Sequence, residues 1–256
     1  MSMSNLHAGQ SACIALLITL LTASSVAAKG NSLELKLSAG ASWQTSNNVK
    51  IPNDSEGTRF ALDDIAGKGP FPAARVEAIW NYSKKHAVRV LLAPLSYSES
   101  GSITEPIDFA GSTFTTGQPV VGEYTFNSWR VGYRYHWLQR DSWDLWIGAT
   151  LKVRDAEIRL AQGGNSSTDD DLGFVPLLHL AGEYRVSSRW FLAADVDALA
   201  GGPGRAIDPG LSVNYKASNN LSLGIEYRTL EGGADIDEVY NFAWFNSALL
   251  TAHYTL

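Results

Sequence analysis

Apolar and polar residues alternate with a period of two along most of this chain. The last stretch, Tyr240 to Leu256, shows it best. Tyr240, Phe242, Trp244, Ala248, Leu250, Ala252, Tyr254 and Leu256 fall in one alternate set, interrupted only by Asn246. Asn241, Ser247, Thr251, His253 and Thr255 fall in the other. A strand places successive side chains on opposite faces, so this pattern predicts a β-strand with one apolar face. The same alternation recurs from Leu33 to Gln44, Ala74 to Tyr82, Ala87 to Pro94, Ser128 to Trp137 and Trp143 to Arg154. It continues from Phe174 to Val186, Trp190 to Leu199, Ile207 to Lys216 and Leu221 to Leu230. Counting predicts about ten antiparallel strands, with eight or twelve as the fallbacks.

The connections alternate in length. Ser83–His86, Leu138–Ser142, Ser187–Arg189 and Ala217–Asn220 read as short turns. Thr45–Pro70, Ser96–Val121, Ala161–Leu172, Ala200–Ala206 and Glu231–Glu238 read as mostly longer loops. For Ser96–Val121 two readings stand: one long loop, or strand extensions that fold over in a hairpin near Gly111 to Gly117. Past Val153 the parity slips, because Ala156, Ile158 and Leu160 are apolar while Asp155, Glu157 and Arg159 are charged. Either a bulge near Arg154 restores the pattern, or the strand has already left its apolar surroundings.

Lys, Arg, Asp and Glu keep almost wholly to one alternate set. A soluble sandwich shows the same alternation, so the aromatic residues discriminate. Tyr82, Trp137, Trp143, Tyr184, Trp190, Tyr215 and Tyr254 all sit on the apolar face beside short turns or the chain end. Gathering them at one level suits a membrane–water interface and serves no purpose in a dry core. Pro94, Pro176 and Pro209 count against regular strands, since proline lacks the ladder N–H. The expected fold is all-β: a transmembrane up-and-down barrel spanning 29–256. A chain that stops inside its own strand resembles Gram-negative outer-membrane β-barrels, although its last residue is Leu256 where that family usually has an aromatic. The stretch YRTLEGGADIDEVYNFAWF, Tyr227 to Phe245, resembles the final hairpin of a group of small uncharacterised outer-membrane proteins, and the likeness extends through Gly173–Asp195. That resemblance implies a fold and a location, and no catalytic residues. It implies outer-membrane lipid and lipopolysaccharide as surroundings, and the barrel assembly machinery as the partner in insertion.

Residues 1–28 are expected to form a cleaved secretory signal. An apolar core from Ala12 to Ala23 is followed by Val26 and Ala28, which fit the small-residue cleavage rule. The core is shorter than the ~20 residues of a spanning helix. The single cysteine, Cys13, lies inside it, leaving the expected mature chain without disulfides or a thiolate metal site. Mean hydropathy of −0.08 implies no helical membrane protein. A net charge of −6 without a Lys/Arg cluster excludes nucleic acid as a partner.

Charges of both signs occupy the inward set. Arg130, Arg134, His179, Glu183, Arg185, Asp195 and Asp197 form the candidate interior network or binding site. A cylinder of about ten strands is only a little wider than one that side chains fill. The interior is therefore read either as a salt-bridged plug or as a narrow polar passage. The rival class is an outer-membrane enzyme, a lipid A-modifying or protease-like barrel, for which His179 is the one mid-barrel histidine. No convincing triad surrounds it. The outer loops are a third candidate, as a ligand-binding surface. Asp169-Asp170-Asp171, and Asp235 with Asp237, read as acidic outer loops able to meet Ca²⁺ or Mg²⁺, or to bridge through cations to lipopolysaccharide phosphates. Their spacing is not that of an EF-hand, which favours solvated loops. No cofactor motif is present.

The pattern predicts that the protein fractionates with the outer membrane and runs faster on a gel unheated than boiled. A single unshifted band in the soluble fraction would refute it.

Overall fold

The computed structural model describes residues 31–202 and 204–256. The expected signal, residues 1–28, lies outside the described residues. Strand β1 (Ser32–Lys50) is followed by β2 (Phe60–Ala61) and the one-turn helix α1 (Leu62–Ile65). Then come β3 (Phe71–Asn81), β4 (His86–Ala93), β5 (Ser96–Gly101), β6 (Ile107–Phe109) and β7 (Ser112–Phe114). The long strands β8 (Val120–Gln139), β9 (Trp143–Gln162) and β10 (Asn165–Arg185) follow. The set ends with β11 (Trp190–Gly201), β12 (Gly204–Lys216), β13 (Leu221–Asp235) and β14 (Tyr240–Thr255).

Each strand pairs antiparallel with its neighbours, and β14 returns to β1 over Glu34↔Thr255 to Lys50↔Tyr240. The sheet is thus a closed barrel of ten staves, with β4 and β5 sharing one stave against β8. Closure pairs each stave with its neighbours through the lower apolar band, where unpaired backbone would be costly; between β10 and β11 the ladder stops at Leu178↔Ala198.

Large apolar side chains stand on the outside. Val131, Leu178, Leu211, Ile225 and Leu250 are each more than half exposed. Trp143 sits opposite Tyr184, and Trp190 opposite Tyr215, at the short-turn end. Phe174 marks the other margin, ten residues along β10 from Tyr184. At about 3.3 Å per residue and a tilt near ~40°, that separation is about 25 Å, the height of the apolar band of a membrane barrel.

Above Phe174 the polarity of the wall inverts. β9 runs on with no bulge at Arg154. Asp155, Glu157 and Arg159 continue the outward parity, and Arg159 pairs with Glu123 across the strands at 2.8 Å. Ile158 and Leu160 continue the inward parity and are buried. The apparent slip is a change of solvent, with water outside and a dry filling inside. The expected loop at 161–172 is mostly strand, turning at Gly163-Gly164, where Gly163 has φ 58°. Asp169, Asp170 and Asp171 therefore lie on β10 and not in a loop. Asp235 ends β13, and only Asp237 of that pair is in a turn.

The dry filling is a cap folded into the outer mouth. Of the two readings of Ser96–Val121, the structure has the strand extension with a hairpin. β5 lengthens the wall, and β6–β7 turns at Ala110-Gly111. Phe109, Phe114, Leu62 and Val120 are fully buried there, against Tyr124 and Phe245 of the wall. Phe71 stacks on Tyr97 at 3.9 Å. Burial pushes the Tyr97 and Tyr124 phenols up, and for Tyr97 the neighbouring Tyr124 adds to it. Each fully buried Phe contributes about 1.5–3 kcal/mol by leaving water.

The three prolines sit where the ladder stops. Pro94 separates β4 from β5. Pro209 lies at an interruption of the β12–β13 ladder between Ile207↔Glu231 and Gly210↔Arg228. Pro176 lies just above the last β10–β11 pair, Leu178↔Ala198.

Leu180→Arg should lower folding stability in lipid vesicles by about 2–4 kcal/mol. Asp170→Arg, ten residues up the same outer face, should change it by less than about 0.5 kcal/mol. Urea titration of tryptophan fluorescence measures both. Equal effects would mean that the belt does not face hydrocarbon.

Candidate functional site

At mid-height the lumen is crossed by charged side chains from facing staves. Asp197 of β11 is the hub of one half. Arg89, from β4, donates to both of its oxygens at 3.1 and 2.8 Å. Arg130, from β8, donates at 2.6 Å, Thr150 Oγ1 at 3.1 Å, and His179 Nδ1 lies 2.8 Å away. Asp208 of β12 is the second hub. It accepts from Arg130, from Arg228 at 2.8 Å, and from Arg75 at 3.4 Å. Arg228 also clamps Asp195 with distances of 2.7 and 2.8 Å, and reaches Glu226 through Nε at 2.7 Å. Lys36 completes Glu226 at 2.6 Å, and Arg89 also holds Glu77.

The local sequence makes room for this. Gly210 faces Arg228, and a Cβ there would collide with its guanidinium. The ladder gap at Pro209 frees the Asp208 carbonyl, and Arg228 Nη1 donates to it at 3.2 Å. Asp197, Asp208, Arg89 and Arg130 are each at most 2% exposed. Charges so far from water persist because each is shared among several charge-assisted bonds. Space between them is scarce: the void beside Lys36, Arg75, Glu77 and Arg228 measures about 10 Å³, barely enough for one water.

The layer separates two chambers. The lower one, at the short-turn end, has a volume of about 340 Å³. Glu34, Arg134, His136, Glu183 and His253 line it. His253 pairs with Glu34 at 3.1 Å, His136 pairs with Asp144 at 2.9 Å, and Arg134 lies over the Trp146 ring at 4.8 Å. His179 Nε2 is buried without a partner among the described residues. The upper chamber, beside the cap, is about 680 Å³.

The candidate residues thus divide. Arg130, His179 and Asp197 meet directly, and Asp195 joins through Arg228. Glu183 and Arg134 face the lower chamber, away from that cluster. Arg185 reaches the short-turn rim, where it pairs with Asp144 and donates to the carbonyls of Arg140 and Asp141 at 3.0 and 2.8 Å. Sequence reasoning passed over Asp208 and did not single out Arg89 or Arg228. Asp208 shares inward parity with Gly210 and stands opposite Asp197, which was the available signal. Among the acidic positions, Asp171 pairs with Arg154, and Asp235 accepts from Asn53 at 2.8 Å. Burial, and then Asp170, pushes the Asp169 carboxyl up. Among the described residues no group of acidic or histidine side chains has the geometry of a metal site.

No protein-family model and no curated protein matches the chain. Solved structures do. The outer membrane protease OmpT of Escherichia coli superposes with a TM-score of 0.60 at 8% identity, covering 91% of this chain and 99% of that one. Ail, the attachment invasion locus protein of Yersinia pestis, matches at TM-score 0.37 and 10% identity over 87% of this chain and 98% of its own. The toluene transporter TodX of Pseudomonas putida matches at 0.32 and 10% over 89% and 90%. The likeness to the protease is one of fold: the chain has the architecture of Gram-negative outer-membrane β-barrels.

Proposed function

We propose that this protein is an integral outer-membrane barrel, exported through the periplasm, whose lumen is closed and whose role is structural and not conductive. The observation that carries the reading is the charge layer, in which Arg89 and Arg130 reach across the lumen to Asp197 and Asp208. A passage for solutes needs groups that bind weakly enough to let go. Here every carboxylate of the layer is already taken up by protein cations, and the cap fills part of the outer mouth with aromatic side chains. The external belt and its aromatic margins support residence in a bilayer. Lipid and lipopolysaccharide are then its lateral contacts, and the barrel assembly machinery the route of insertion. The narrow-passage alternative differs in one measurable respect.

The purified barrel, reconstituted in a planar bilayer, should show no stepwise conductance; regular single-channel steps would establish the passage instead. Asp197→Asn should lower stability by about 3–5 kcal/mol, because two arginines lose a buried counter-charge. Denaturant titration in vesicles measures it. A change below about 1 kcal/mol would mean that the layer is hydrated.

A further inference from the structure

The upper chamber opens sideways. β10 and β11 pair only as far as Leu178↔Ala198. β11 and β12 then end in a low hairpin at Gly201↔Gly204, while β10 runs on to Asn165. Among the described residues no strand covers the β11 side of β10 above Leu178. The cap is tied at both flanks of this notch. Ser167 donates to the Ala110 carbonyl at 2.6 Å, and Asn53 donates to Asp235 and to the Ile236 carbonyl, each at 2.8 Å. The chamber lining continues through the notch to Phe174, Pro176 and Leu199. Phe174 is exposed on the outer wall at the upper margin of the apolar belt, and Leu199, in the inward set of β11 two residues above Asp197, is exposed at the open rim of the chamber.

The floor of the chamber has the opposite character. Lys152 is 2% exposed, and no salt bridge among the described residues includes it. Its Nζ lies 4.4 Å from the centre of the Phe126 ring. Its neighbours in register are Arg130 on one strand and Val175 on the other. Arg130 is spent on Asp197 and Asp208, and Arg154, two residues along, is spent on Asp171. A buried amine with no ion-pair partner of its own is costly to keep charged. The Asp208 carboxylate that acts on it is shared by three arginines, and the acidic residues of the chamber wall, Asp169 to Asp171 and Glu238, make no salt bridge to it. An acidic group delivered by a ligand pairs with it directly. The volume, about 680 Å³, falls within the range of small-molecule sites.

We infer that this chamber binds a single-chain anionic amphiphile, entering through the notch between β10 and β11, with its acyl chain along Val175, Ile158 and Leu199 and its head on Lys152. A fatty carboxylate and a lysophospholipid phosphate share that chemistry. The site is independent of whether the lumen conducts, since it lies above the charge layer.

Native mass spectrometry of the full barrel, ejected from non-ionic detergent, tests the inference with three probes: oleate, oleoyl lysophosphatidate and oleyl alcohol. Heat-modifiable migration confirms folding of every variant. One of the two anions should add with one-to-one stoichiometry, and which of them adds identifies the head. Lys152→Met should weaken that anion about tenfold or more and leave the alcohol within twofold. Ala206→Trp, which fills the chamber from β12, should abolish binding of all three. Absence of any anion adduct on the folded protein overturns the inference. So does an anion preference that survives Lys152→Met, or binding that survives Ala206→Trp.

Discussion

Two aspartates, one on β11 and one on β12, accept hydrogen bonds from guanidinium groups that start on the far side of the barrel. Arg89 and Arg130 span the lumen to reach them, and Arg228 arrives from β13. Remove the acceptors and several cations are left in a space that water hardly enters. The interaction works only because the barrel is narrow: arginine is long enough to bridge ten staves, and a much wider cylinder would need water instead. The glycine opposite Arg228 and the interrupted ladder at Pro209 read as accommodations to that crossing. Everything else in the lumen is arranged above or below this layer.

Membrane barrels are usually described as apolar outside and polar inside. Here that holds only for the belt. On β9 the same alternate set carries Leu151 and Val153, and then Asp155, Glu157 and Arg159, without a change of register. The backbone does nothing new; its surroundings change from hydrocarbon to water. The inward set changes in the opposite sense, from Lys152 to Ile158 and Leu160, because the cap excludes water from the mouth.

That exchange explains what was legible in the sequence. The staves followed from period-two patterns, which are local; closure of the last strand on the first was implied only by the resemblance to membrane barrels. The outer extensions did not, because a strand with water outside and a cap inside has the pattern of the belt reversed. The triple aspartate of β10 looked like loop composition for the same reason. The cap was legible only in part: one of the two readings of Ser96–Val121 had its hairpin, but the packing that holds it joins residues far apart in sequence, such as Phe60 with Phe109. In the charge layer, parity gave the direction of Arg130, His179, Asp195 and Asp197. It could not say which side chains meet across a lumen, and so Asp208 went unnoticed while Arg185 was grouped with partners it does not touch.

The early end of the β10–β11 ladder has a consequence for the lipid. Backbone N–H and C=O groups left unpaired in hydrocarbon cost several kcal/mol each, so a free strand edge is tolerated only where it is wetted. The edge of β10 above Leu178 is such a place, although Leu172 and Phe174 carry apolar side chains beyond it. Water and headgroups must therefore reach down to the level of Leu178 on this flank, while they stay higher around the seam of β1 and β14. An edge of this kind favours thinning of the bilayer along one flank, and a bilayer that resists local thinning, being thicker or more ordered, would press against that flank and not the other.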